Sequence, residues 1–458
     1  MTTLRSWSPQ APSTSVGEVE RASAADVSER FAAARAAQRE WWALGAAGRA
    51  KGLGGAAADL RGRRDEATEL IVREVGKPAG EAAGEVARAI SILEYYEQAC
   101  FGAVGDLYPP SLGGLLFSER RPHGVAGLIT PWNFPLAIPL WKAAPALACG
   151  NAVVLKPSPD APICAELIAR CLQPHLPDDL FAVAHGEAET GQAVVADADV
   201  VSFTGSHAVG RSVAVAAAAR GVPVQCEMGG QNAAIVFDDA DPDRTAATLA
   251  GAAMGYAGQK CTATRRVIVA GSDTGFVDAF VGAVSALGTG DPEDAATVVG
   301  PLISEPARAK FLGALELASD SGAQVLTGGA AIPRDGWFVA PTVLDGLEPG
   351  HPLAQRETFG PMVTIHRAST VDEAVRIAND VPYGLVTSLH GRDIDRLLSA
   401  AAAIDTGLIK INAPTTGVDF YAPFGGEKDS SVGPREQGLA ALSFYSSTRT
   451  VTVAQHGP

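Results

Sequence analysis

Cysteine is scarce in this chain: six in 458 residues, at positions 100, 149, 164, 171, 226 and 261, with no CxxC pair among them. That usage excludes a disulfide scaffold and zinc-ribbon spacing, so reduced thiols and no metal site are expected. Positive charge is also short. Lysine and arginine total 36 against 51 aspartates and glutamates, a net −15, which argues against a nucleic-acid footprint or attraction to an anionic membrane surface. No apolar run reaches the ~18–20 residues of a membrane span. The opening stretch MTTLRSWSPQAPSTSVGE has no basic patch followed by an apolar core, so no secretory signal is read there and a cytoplasmic location is expected. Fixed-period repeats and low-complexity linkers are missing too, which excludes a solenoid.

What is present is ample core material. Hydrophobic residues make up 47% and charged residues 19%, and a chain this long exceeds one hydrophobic core, so two or three domains are expected. Residues 23–44 hold good helix formers behind a Ser23/Asp26 capping box, and the first hundred residues read as mostly helix. Residues 114–130, GLLFSERRPHGVAGLIT, break that pattern with short β-like runs around Pro122 and Gly124. From 125 onward, short continuous apolar runs (GVAGLIT, NAVVLKP, ADVVSFTG, VPVQCEMGG) alternate with helical stretches. A second such series follows from NAAIVFDD to GLIKIN. That rhythm predicts two parallel α/β domains in tandem, joined near EMGGQN at 227–232.

Ligands of parallel sheets bind beyond the carboxyl ends of the strands, which directs attention to four places. TPWNFP (130–135) offers Asn133, which as a lone residue reads equally as a helix cap. KPSPD (156–160) offers Lys156, a ribose or phosphate contact or a solvated loop lysine. TGSHAVG (204–210) suits a phosphate at a helix start or a plain strand-to-helix turn. EMGGQN offers Glu227, a general base or a surface carboxylate. GYAGQKCTATRR (255–266) adds Cys261, a nucleophile or an apolar filler.

The order TPWNFP, LKPS, FTGS, EMGGQN, GQKCTA, ETFGP, IANDVPYGL and PFGGEK resembles the successive signatures of the NAD(P)-dependent aldehyde dehydrogenase superfamily, from about residue 20 to about 450. The resemblance implies that fold: a Rossmann-like cofactor domain over 1–105 and 125–228, a catalytic domain over 229–435, and a β oligomerisation element from 106–124 and 436–458. It implies Cys261 as nucleophile, Asn133 with the Cys261 backbone N–H as oxyanion donors, and Glu227 as the base that activates water. It places NAD or NADP against Trp132, Lys156, Ser158, Gly205, Ser206, Glu357 and Phe359. Lys142, Arg266, Asn379 and Gly384 match framework positions. Pro159 stands where NAD-preferring members often carry a glutamate, which makes NADP plausible, with Asp160 as a partial replacement.

Residues 413–438 and IPLWKAAPAL (138–147) resemble the α-ketoglutaric semialdehyde (2,5-dioxopentanoate) dehydrogenase branch. Lys260, directly before Cys261, would then face a distal carboxylate or point to solvent. The apolar tunnel positions Phe134, Ile138, Trp141 and Phe420 suit an aromatic or aliphatic aldehyde as the alternative. An acylating or reductive member, or a retired binding homologue, is a further alternative that Glu227 speaks against. The partners implied are a small-molecule aldehyde and further copies of the chain, as a homodimer or homotetramer. FYSSTRTVTV (444–453) alternates like an edge strand open to such a copy.

Overall fold

The computed structural model describes residues 3–111 and 113–454; residues 1, 2, 112 and 455–458, which fall within the segments assigned above to the cofactor domain and oligomerisation element, lie outside the described residues. Four helices, Ala24–Ala43, Gly45–Gly62, Arg64–Val75 and Ala79–Ala99, fill the first hundred residues. The first begins at the expected capping box: Asp26 N–H donates to Ser23 Oγ at 3.2 Å and Ser23 N–H donates to Asp26 Oδ2 at 2.8 Å. An antiparallel hairpin, Thr3–Ser8 with Ala11–Glu20, precedes them where helix was the general expectation. Its inward positions include Ser6 and Ser8, while Trp7 is 46% exposed. Leu4 is the only apolar residue among the three inward positions of Thr3–Ser8, so no apolar alternation marks the strand in the sequence.

The first large sheet takes five parallel strands: Val125–Ile129, Ala152–Lys156, Phe181–Val183, Val200–Thr204 and Val224–Glu227. Numbered by their order in the chain, they lie side by side as 3-2-1-4-5. The order reverses between the first and fourth strands, and the crevice beyond their carboxyl ends is where a doubly wound sheet binds its ligand. Every residue of those two strands is buried, which is why they read as continuous apolar runs.

The second sheet has seven strands, six of them parallel, centred on Ala233–Phe237 and Arg266–Ala270. Successive side chains of these strands enter opposite cores: Ala234, Val236, Val267 and Val269 one, Ala233, Ile235, Ile268 and Ala270 the other. A third sheet pairs Ser446–Val453 with Leu115–Pro122 and Leu107–Tyr108, leaving Ser446–Val453 as an open edge. No helix among the described residues is long and apolar enough to cross a membrane.

The domain line drawn at 435 meets a crossing. Ser431–Val432, within the segment assigned to the catalytic domain, pairs antiparallel with Cys226 and Glu227 on the edge of the first sheet. Helix Gly438–Phe444 likewise packs on helix Ala137–Ala148 of the first domain. The chain end therefore returns to the cofactor side before it reaches the third sheet.

Candidate active site

Cys261 sits in a turn between helix Pro242–Met254 and strand Arg266–Ala270. The approach to it is strained: Tyr256 and Ala257, both fully buried, have φ of +54° and +52°, a region that costs non-glycine residues energy and persists only where packing imposes it. Two side chains hold the turn. Asn232 Nδ2 donates to the carbonyls of Cys261 at 2.7 Å and Ala263 at 2.8 Å. Arg265, buried, donates to Gly258 O and to Gly360 O, clipping the Cys261 loop to the Glu357–Phe359 loop.

Asn133 lies just beyond the first strand, 3% exposed, and its Nδ2 donates to Gln259 O at 3.0 Å, two residues before Cys261. Its Oδ1 is buried without a partner. Glu227 ends the fifth strand at 2% exposure. Its Oε2 accepts from Ser431 Oγ at 2.7 Å, and its Oε1 is buried with no hydrogen bond. Burial, reinforced by the nearby Glu436 carboxylate, holds the Glu227 carboxyl well above the usual range, against the opposing Ser431 bond and the Lys142 and Arg435 charges. The Cys261 thiol is pushed up to about 12, first by loss of water and then by the carboxylates of Glu357, Glu227 and Glu436. The Asn133 amide is thus tied to the turn that carries Cys261, and the Glu227 carboxylate is near enough to that thiol to act on it.

A second group of residues converges on the reversal crevice. Lys156 ends its strand at 7% exposure without an ion pair among the described residues, and burial lowers its ammonium to about 8 against Asp160 and Glu187. Ser158 Oγ lies 3.4 Å from Asp160 Oδ2. Gly205 N–H donates to Glu227 O at 3.0 Å, and a Cβ there would strike the Phe203 ring at 2.6 Å. Ser206 begins helix His207–Ala219 with no side-chain cap, so the first N–H groups stay open. Glu357 Oε1 is buried without a hydrogen bond, and a Cβ on Gly229 would come within 2.0 Å of Glu357 Oε2. Burial raises this carboxyl to about 7 although Arg265 lies 3.8 Å away. Trp132 meets Phe359 edge-on at 5.8 Å, and Phe359 itself has φ of +57°. A buried ammonium, an open helix N-terminus and a carboxylate with an unfilled oxygen form a donor set that fits the phosphates and ribose hydroxyls of a dinucleotide.

The expected substrate residues divide. Phe134 is half-buried beneath the Lys77 ammonium, which stands 3.8 Å from its ring centroid. Phe420 packs edge-on against Tyr95 at 5.8 Å. Ile138 is buried in helix Ala137–Ala148. Trp141 is 7% exposed, and its Nε1 donates to Glu436 Oε2 at 2.9 Å, so its polar edge is occupied. Lys260 is not free to read a substrate: its Nζ lies 2.7 Å from Glu81 Oε2.

Several site residues had no signature in the sequence reading. Glu436 pairs with the buried Lys142 ammonium, which also donates to Ser202 Oγ at 2.8 Å. Buried Lys77 pairs with buried Glu85, whose Oε1 accepts from Leu136 N–H at 2.9 Å and Ala137 N–H at 3.0 Å, fixing the segment that follows Asn133. Glu85 showed in sequence only as a charge inside helical spacing, and Lys77 and Glu436 lie in connecting segments. Of the framework residues, Arg266 donates to the carbonyls of Gln231, Ile377 and Ala378, and Asn379 bridges Ala403 O and Asp405 N–H.

Comparisons with known proteins agree with this geometry. Residues 2–451 match the aldehyde dehydrogenase family. The chain is 39% identical over 448 residues to an α-ketoglutaric semialdehyde dehydrogenase of Bacillus subtilis (strain 168), covering 96% of this chain and 92% of that protein. It is 35% identical to a 2,5-dioxopentanoate dehydrogenase of Saccharolobus solfataricus, covering 93% and 91%. Betaine aldehyde dehydrogenase from Staphylococcus aureus, solved in complex with NAD+, superposes with a TM-score of 0.96 at 28% identity, covering all of this chain and 93% of the other. With a family match spanning nearly its whole length, this chain belongs to the aldehyde dehydrogenase family.

Proposed function

We propose that the protein oxidises a short aldehyde bearing a distal carboxylate, such as 2,5-dioxopentanoate, to the corresponding acid, with Cys261 as nucleophile. The observation that carries the reading is the grouping of the Cys261 turn, the Asn133 amide tied to that turn, and Glu227, which acts on the thiol and keeps a buried, unpartnered oxygen. Two of the similar proteins named above act, by name, on this semialdehyde.

Cys261 Sγ attacks the aldehyde carbon, and its proton leaves to Glu227, whose raised proton affinity suits it to accept one, and from there to solvent. The oxygen of the resulting thiohemiacetal becomes negative. Asn133 has two N–H donors, one of them spent on Gln259 O, so the other is available to that oxygen beside the Cys261 backbone N–H. Lys156, Ser158, Gly205, Ser206, Glu357, Trp132 and Phe359 would hold a nicotinamide dinucleotide, which would supply the hydride acceptor. Glu227, ionised again, takes a proton from water as that water attacks the Cys261 thioester and passes it to the departing Sγ, releasing the acid and restoring the thiol. Ser431 fixes one Glu227 oxygen and leaves the other for water.

Pro159 removes a carboxylate that would repel a 2′-phosphate, which favours use of NADP beside NAD. The open edge of Ser446–Val453 supports a homodimer or homotetramer, and six free thiols suit the reducing cytoplasm. The test is NAD(P)H absorbance with 2,5-dioxopentanoate, benzaldehyde and a linear aldehyde, each with NAD and NADP. Turnover with 2,5-dioxopentanoate, abolished in Cys261→Ala, is expected. Silence on every aldehyde, or turnover that survives Cys261→Ala, overturns the reading.

A further inference from the structure

Helix Ala79–Ala99 lays residues 85, 88, 92 and 95 along one face, since they recur at helical spacing. Glu85, at one end of this stripe, accepts from Leu136 and Ala137, just after Phe134. Tyr95, at the other end, packs on Phe420. The stripe therefore runs from the segment that follows Phe134 to the ring of Phe420, and Arg88 stands in its middle. The Arg88 guanidinium donates from Nη1 to Val418 O, two residues before Phe420. That bond uses one of five N–H donors.

Three cations face this side of the pocket. Lys77 is paired with Glu85 and Lys260 with Glu81. Arg88 is half-buried and forms no ion pair among the described residues: Glu85 is engaged by Lys77, and the exposed Asp419 is near enough to act on Arg88 electrostatically without pairing with it. A partly desolvated guanidinium with free donors, set among aromatic side chains, is the group that recognises a planar carboxylate by paired hydrogen bonds. Lys260, beside the nucleophile and expected from the sequence to do this, is neutralised by Glu81.

We propose that Arg88 is the specificity-determining residue of the channel, binding the distal carboxylate of an aldehyde whose reacting carbonyl lies at Cys261. This rests on the proposed aldehyde oxidation and adds to it the residue that selects the carboxylated substrate. Val418 O orients the guanidinium, and Phe134 and Phe420 cover the methylenes between the two ends of such a substrate.

The experiment compares kcat/KM for succinic semialdehyde and for butanal, the four-carbon aldehyde without the carboxylate, in wild type, Arg88→Met and Arg88→Lys. In Arg88→Met the ratio of the two should fall about 30–100-fold, the cost of losing one charged, hydrogen-bonded partner in a partly dry site. Most of the loss should appear as raised KM for succinic semialdehyde, and Arg88→Lys should recover part of the ratio. A structural role would lower both substrates together and leave the ratio unmoved, so an unchanged ratio overturns the proposal even if Arg88→Met is unstable. A wild type without preference for succinic semialdehyde over butanal overturns it as well. Wild-type silence on both substrates, and on the aldehydes named above, overturns instead the aldehyde oxidation on which it stands.

Discussion

Alkylation of Cys261 as a function of pH tests the electrostatics of the site directly. The free thiol has a reference value of 9.0, and in the fold it rises to about 12. At pH 8 the thiolate fraction is then about 10⁻⁴ rather than about one tenth, roughly a thousandfold deficit in the reactive species. Iodoacetamide labelling of the protein without cofactor, followed by mass spectrometry of the Cys261 peptide, should give a rate that climbs tenfold per pH unit from about pH 7 to 10 with no plateau. Restricted access lowers the height of this profile but leaves its shape intact. The carboxylate contributing most to the rise is Glu357, so Glu357→Gln should accelerate labelling at fixed pH by roughly threefold to tenfold, as expected for removing one nearby charge. A plateau below about pH 9 in wild type would refute the reasoning, because it would mean that the pocket holds a thiolate already.

The remaining expectations concern stability. Burial raises the Glu357 carboxyl from 4.5 to about 7, so the fold holds its proton more tightly than the unfolded chain does. Wild type should therefore lose stability relative to Glu357→Gln as pH climbs from about 4.5 to 7, and the difference should stay constant above that. Urea unfolding at pH 8 should find the variant more stable by up to about 3 kcal/mol, with the gap closing near pH 4.5; an equal gap at both pH values would contradict the assignment. Lys77→Met leaves the Glu85 charge buried and should cost about 3–5 kcal/mol, whereas Lys77→Met combined with Glu85→Gln should cost less than the single change. A double variant as unstable as the sum of the two singles would show that the pair is not coupled.

What the sequence disclosed and what it hid have a common physical basis. Strands buried on both faces must be apolar throughout, so the runs ending at Ile129, Lys156, Thr204 and Glu227 were visible, and the residues after them could be singled out. The hairpin at 3–20 was not, because two of the three inward positions of its first strand are the serines Ser6 and Ser8. Local signals behaved alike: the Ser23/Asp26 box needs only three residues and was legible. Pairings across long stretches of chain left no such mark. Nothing adjacent to Lys260 announces Glu81, and nothing near Lys142 announces Glu436, 294 residues away. Nothing beside Arg88 announces Val418 O, 330 residues away.

The antiparallel strand Ser431–Val432 has a consequence for how the protein is made. Glu227 sits on a strand finished before half the chain exists, yet the hydroxyl that orients it arrives 204 residues later, and Lys142 waits still longer for Glu436. During vectorial synthesis the first sheet can close around its crevice while the Glu227 carboxyl is unoriented and the buried Lys142 ammonium is unneutralised. Both wait until the ribosome has emitted nearly the whole polypeptide, and a nascent or prematurely terminated chain would hold the crevice without these two contacts.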